Sequence, residues 1–277
     1  MDRFQGLKSV AVSVAAAVAE LELIGPGKGN AMGPDFWREL PGLFAALDAD
    51  DDVRAVLVRG SGRMFSSGLD LAAVLGEVGP SLTADGGLAA ARTRFYDHIL
   101  RMQHAMDAVE ACRKPVVAAI HGWCIGGGVD LAAACDIRLA SADARFSVRE
   151  VKVAIVADMG SLQRLPHIIG QGHTRDLALT GRDVDAAYAE RIGLVSEVLP
   201  DAELLVAAAR QRYAELAANP PLVVQGVKRV LNDTRDLGVA EGLRHVAIWN
   251  AAFLQSHDLG EAMAAFSEQR PAQFQGR

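Results

Sequence analysis

Aromatic residues make up only 5% of the 277 positions, too few for the stacked-ring platforms that hold single-stranded nucleic acid. Basic residues number 28 against 34 acidic ones, a net charge of −6. No whole-surface positive field is therefore available to draw in nucleic acid or an anionic membrane, and neither is expected as a partner. The three cysteines, Cys112, Cys124 and Cys135, form no CxxC pair. That excludes a disulfide framework and a structural zinc site, and the expected setting is cytoplasmic. Histidines show no HExxH or paired spacing, so no metal site is expected. No run reaches the roughly 18 apolar residues of a membrane-spanning helix. The dinucleotide GxGxxG, the P-loop and the GxSxG nucleophile elbow are all missing.

What is present reads as an ordinary globular chain, 51% hydrophobic and 22% charged, long enough for one large domain or two small ones. Residues 10–19, VAVSVAAAVA, follow Arg3 and Lys8 and imitate the apolar core of a signal peptide. However, Val10, Val12 and Val14 alternate with small residues, and Glu20 and Glu22 alternate with Leu21 and Leu23. That period of two predicts a β-hairpin. After a turn at 25–30, Pro34 and Asp35 open a helix whose stripe is Phe36, Leu40, Leu43 and Leu47. Apolar runs at 53–59 and 115–120 predict buried strands, with shorter ones at 136–140 and 144–148. A helix is expected over 88–112 and another over 129–134. Beyond Asp158 the pattern is nearly all helical, apart from a strand at 194–199. The whole predicts an α/β core over 1–200 and a helical C-terminal region over 201–277 belonging to the same unit.

Three features can carry chemistry. Gly126, Gly127 and Gly128 lie between a strand and a helix, where bare N–H groups can hold developing negative charge, or where the chain simply turns tightly. Asp130, Glu150 and Asp158 are carboxylates in apolar surroundings, where acids are rarely buried without partners. If the three converge, repulsion and burial raise at least one pKa and create a proton-transfer pair near neutrality. Taken singly, Asp158 can cap the following helix, Glu150 can pair with Arg149 or Lys152, and Asp130 can be an ordinary satisfied helix residue. The loop through Ser66, Ser67, Gly68, Leu69 and Asp70 can offer a second N–H donor, or be a plain loop in which Asp70 caps a helix.

Taken together, these residues resemble the crotonase, or enoyl-CoA hydratase/isomerase, superfamily. The likeness rests on the stretches GNAM at 29–32, MFSSGLDL at 64–71, KPVVAAIHG at 114–122, GGGVDLAAA at 126–134 and CDIR at 135–138. It implies a spiral of ββα units with a helical C-terminal trimerisation region, as a trimer or a dimer of trimers. It also implies a thioester carbonyl held between the N–H groups of Leu69 and Gly127, with Ser67, Gly68, Asp70 and Leu71 at the substrate. The pattern of Asp130, Glu150 and Asp158 is similar to the Δ3,5-Δ2,4-dienoyl-CoA isomerase branch, which implies an acyl-CoA substrate, no other cofactor and a place in fatty acid β-oxidation. Gly25 and Gln269 stand where relatives often carry Arg and Lys, leaving Lys28 and Arg270 as candidates for the CoA phosphates. A plain hydratase, another crotonase-type isomerase and a catalytically silent binding protein are the alternatives.

Overall fold

The computed structural model describes residues 4–25, 29–83 and 88–276. The expected hairpin is there: β1 (Val10–Ala15) pairs antiparallel with β2 (Val18–Leu23). Its two-residue turn places Ala16 and Ala17 at φ +49° and +63°, the double left-handed geometry that matches strand twist. α1 (Pro34–Asp48) follows and buries the predicted stripe. β3 (Ala55–Gly60), β4 (Val116–Ile120), β6 (Ile137–Ser141) and β9 (Glu197–Leu199) extend the hairpin into a six-stranded sheet, parallel beyond β1 and ordered β1-β2-β3-β4-β6-β9. β5 (Trp123–Ile125), β7 (Arg145–Ser147) and β8 (Val184–Asp185) form a smaller second sheet.

Alternation along β3 and β4 divides the core in two. Val56, Val58, Val116, Ala118 and Ile120 pack toward α1, α3 (Leu88–Ala111) and α4 (Gly127–Ala134). Leu57, Val117, Ala119 and Leu139 point to the other face and meet Leu205 and Ala209 of α7 (Ala202–Ala218). Both faces are covered, which is why these strands read as continuous apolar runs. Part of the helical C-terminal region is therefore a layer of the core.

The remaining helices are α2 (Leu71–Thr83), α5 (Ser161–Thr180), α6 (Ala186–Arg191), α8 (Pro221–Asp233), α9 (Val239–Phe253) and α10 (His257–Glu268). The chain order contains three ββα units: β1-β2-α1, β4-β5-α4 and β6-β7-α5. The strand expected over 194–199 is shorter. Leu194 and Val195 are buried but lie before it, and the Leu194 carbonyl accepts from Arg138 Nε at 2.7 Å. Among the described residues no helix is long and apolar enough to cross a membrane.

Candidate active site

Beyond the end of β3 the chain turns through residues 61–70, fixed by Asn30. Its side-chain amide donates to the carbonyls of Ser61 and Met64 at 2.9 and 2.8 Å, and its Oδ1 accepts from Ser61 Oγ at 2.8 Å. Leu69 then bridges Met32 in parallel fashion. The bonds run from the Met32 N–H to the Gly68 carbonyl at 2.8 Å, and from the Asp70 N–H to the Met32 carbonyl at 3.1 Å. In a parallel ladder the residue between two such bonds turns its own N–H to the other side. The Leu69 N–H is thereby directed away from the Met32 backbone. Gly127 lies close by: a Cβ built on it would stand 3.5 Å from Leu69 N. Gly127 is also the first residue of α4, where N–H groups have no intrahelical partner. Among the described residues neither the Leu69 nor the Gly127 N–H donates a hydrogen bond.

Both residues line a cavity of about 620 Å³, and the structure brings Asp130, Glu150 and Asp158 into its wall. Asp130 stands in the first turn of α4, 1% exposed, and accepts from the Ser161 N–H at 2.5 Å. Burial first, and then the charge of Glu150, push its pKa up to about 7 against the opposing Ser161 N–H. Glu150 opens a 3₁₀ turn, Glu150–Val153. It reaches the donor helix because Gly126, at φ +50°, has no side chain: a Cβ there would lie 2.9 Å from Glu150 Oε1. Its Oε2 is buried without a protein partner among the described residues. Burial raises the Glu150 pKa; its own N–H opposes this and the charge of Asp158 adds to it. Burial likewise raises the pKa of Asp158, against its own N–H. Three acids held above their ordinary range beside two unspent donors can take up and release protons next to a stabilised anion.

The bland alternatives for Asp158 and Glu150 do not hold. Asp158 caps nothing, since α5 starts from Gly160 without a side-chain cap. Among the described residues Glu150 forms no ion pair; Arg149 is held by Asp183 instead. Among the substrate-side expectations, Ser67, Leu69, Leu71 and Gly127 line the cavity, whereas Gly68 and Asp70 do not. Asp70 is a helix cap, accepting from the Ala73 N–H at 3.0 Å at the start of α2. Lys28 lies outside the described residues. Arg270 is already engaged: its guanidinium donates to Glu261 and Glu268 at 2.6 Å each, so it is not a free phosphate ligand in this conformation. Sequence reasoning missed the opposite wall, formed by Phe95, His98, Ile99 and Met102 of α3 with Trp37 of α1. Apolar residues at helical spacing read as core, and only the fold shows that this stripe faces a cavity.

The family model described as enoyl-CoA hydratase/isomerase matches residues 13–277. The chain belongs to this family. Among family members it is 44% identical to the mitochondrial Δ(3,5)-Δ(2,4)-dienoyl-CoA isomerase of Dictyostelium discoideum, over 93% of this chain and 87% of that one. It is 43% identical to the mitochondrial protein of that name from Homo sapiens, over 91% and 77%, and 40% identical to the peroxisomal one from Arabidopsis thaliana, over 99% and 98%. A crystal structure of a putative enoyl-CoA hydratase from Streptomyces coelicolor A3(2) superposes with a TM-score of 0.89 over the whole of both chains at 33% identity. The shared crotonase fold is the α/β architecture expected from the sequence. The cytoplasmic expectation is corrected by the same relatives, which are named as mitochondrial or peroxisomal proteins. The buried thiols on which it rested speak only to redox state, which does not single out one compartment.

Proposed function

We propose that this chain is a Δ3,5-Δ2,4-dienoyl-CoA isomerase that moves a proton from C2 to C6 of a 3,5-dienoyl-CoA. One observation carries the reading: Asp158 adds a third carboxylate to Asp130 and Glu150 in a cavity that also holds two unspent N–H donors. Similarity to relatives named for that reaction supports it. The C2 proton is acidic only because its loss leaves an enolate with charge on the thioester oxygen. The Leu69 and Gly127 N–H groups bind that oxygen, and one such donor is worth about 2.7–4 kcal/mol of barrier. Charge then spreads along the conjugated chain and the anion is protonated at C6. Two distant carbons need two groups. Glu150 and Asp158 are the pair, one taking the C2 proton and the other delivering a proton to C6. Asp130 tunes them by its charge and, through the Ser161 N–H, anchors the turn that bears Asp158. Ser67 and Leu71 border the substrate. Proton transfer alone completes the reaction, so no cofactor is needed beyond the CoA of the substrate.

The assembly in this reading is a homotrimer or a dimer of trimers. Its support is the apolar surface left on the last helices: Val227 and Leu231 of α8, Leu243 and Ile248 of α9, and Met263 and Phe266 of α10 are all more than half exposed. The test of function is to incubate the purified protein with a 3,5-dienoyl-CoA and, separately, with a 2-enoyl-CoA, adding nothing else. Absorbance of the conjugated 2,4-dienoyl product should rise in the first. Fast hydration of the second with no conversion of the first rejects the isomerase in favour of a hydratase.

A further inference from the structure

We propose that Gln103 is a positioning residue for Asp158, an inference that rests on the isomerase reading above. Asp158 sits in residues 155–160, a stretch without helix or strand between the 3₁₀ turn and α5. Such a segment has no ladder to fix it, so its carbonyls are placed by whatever side chains reach them. Gln103 Nε2 donates to the Asp158 carbonyl at 2.7 Å. A carbonyl only accepts, so the amide must present its nitrogen. One residue on, Arg164 Nη1 donates to the Met159 carbonyl at 3.4 Å, with its guanidinium held by Asp107 and Glu110 of α3 at 2.8 and 2.9 Å. Gly160 leaves the space for it: a Cβ there would overlap Nη1 at 1.8 Å. The Ser161 N–H then closes on Asp130. Gln103 thus grips the residue that carries the acid, and does so from the helix that walls the cavity. Gln103 itself does not line the cavity, so it acts through the Asp158 backbone and not on substrate. Proton transfer is steep in geometry, since a misplacement of about 1 Å can cost roughly 100-fold in rate.

The experiment is a double-mutant cycle on the full-length enzyme with a 3,5-dienoyl-CoA. Gln103→Met keeps the length of the side chain and removes the donor. We expect kcat to fall about 10-fold or more with KM changed by less than about twofold. In the Asp158→Asn background the same substitution should cost almost nothing further, because the group being positioned is already disabled. A merely structural glutamine would lower both backgrounds alike. Gln103→Ala repeats the cycle should the methionine variant fail to fold. Wild-type turnover in the Gln103 variants, or losses that multiply in the double variant, overturn the positioning role while leaving the isomerase reading intact. A wild-type protein inert toward 3,5-dienoyl-CoA rejects that reading and this role with it.

Discussion

α4 and α9 are both rich in alanine and valine, yet all eight residues of α4 are buried and none of the fifteen residues of α9 is. α4 spends its burial inside the chain. It packs against the sheet and α5, and it carries a carboxylate into an apolar wall where the Ser161 N–H bonds to it. α9 exposes Val239 at 82%, Leu243 at 62% and Ile248 at 70%, a surface that a second copy can cover. A buried charge is expensive and an uncovered apolar face gains nothing from folding. In the proposed reading the first cost is kept where proton transfer needs a shifted acid, and the second would be recovered by association. Each half of this comparison can be broken separately.

The largest effect is expected on the buried side. Asp158→Asn keeps the size of the side chain and removes its ability to take a proton. Asp158 caps no helix, so little stability is at stake. Turnover of the 3,5-dienoyl-CoA should fall by roughly 100-fold or more, while the melting temperature and the affinity for CoA stay near wild type. Near-normal turnover in this variant would remove the third acid from the mechanism. On the exposed side, Ile248→Asp places a charge on the open face of α9. Light scattering at micromolar concentration should give a trimer or larger for the wild type and a monomer for the variant. A wild-type monomer, or a variant of unchanged mass, breaks that half of the comparison.

How much of this was legible follows from the same physics. The hairpin, β3, β4 and the stripe of α1 could be read because burial on one or both faces imposes a period on several consecutive residues. β5 and β8, three and two residues long, were not read as strands; β8 in particular is too short to show a period. α2 was signalled only by Asp70 as a possible cap, and Gly76, Gly79 and Pro80 lie inside it, residue types that ordinarily end a helix. The acids stood out because a carboxylate in an apolar run is conspicuous. Their convergence was not visible, since it depends on Ser161 closing back onto Asp130 across 31 residues. Gln103 gave no signal at all: an amide on a half-exposed helix looks like surface until the Asp158 carbonyl is found against it.

The smallest effect sharpens the comparison most directly, because it measures what α4 pays for its charge. Asp130 has an ordinary pKa of 3.8 and is pushed up to about 7 in the folded protein, chiefly by burial and then by Glu150. An acid with a raised folded-state pKa binds its proton more tightly folded than unfolded. Its contribution therefore falls as pH rises from about 4 to about 7, and is fully unfavourable above that. Asp130→Asn cannot titrate, yet its side-chain carbonyl can still accept from the Ser161 N–H. It also relieves Glu150 of a neighbouring charge, which acts in the same direction. Between pH 5 and pH 8 the wild type should lose on the order of 2 kcal/mol relative to the variant, or roughly 5 °C in thermal midpoint for a chain of this length. The variant should thus be the less pH-sensitive of the two, despite losing activity. Thermal midpoints that track in parallel across this range would mean that Asp130 is ionised at little cost, and that α4 and α9 differ only in what covers them.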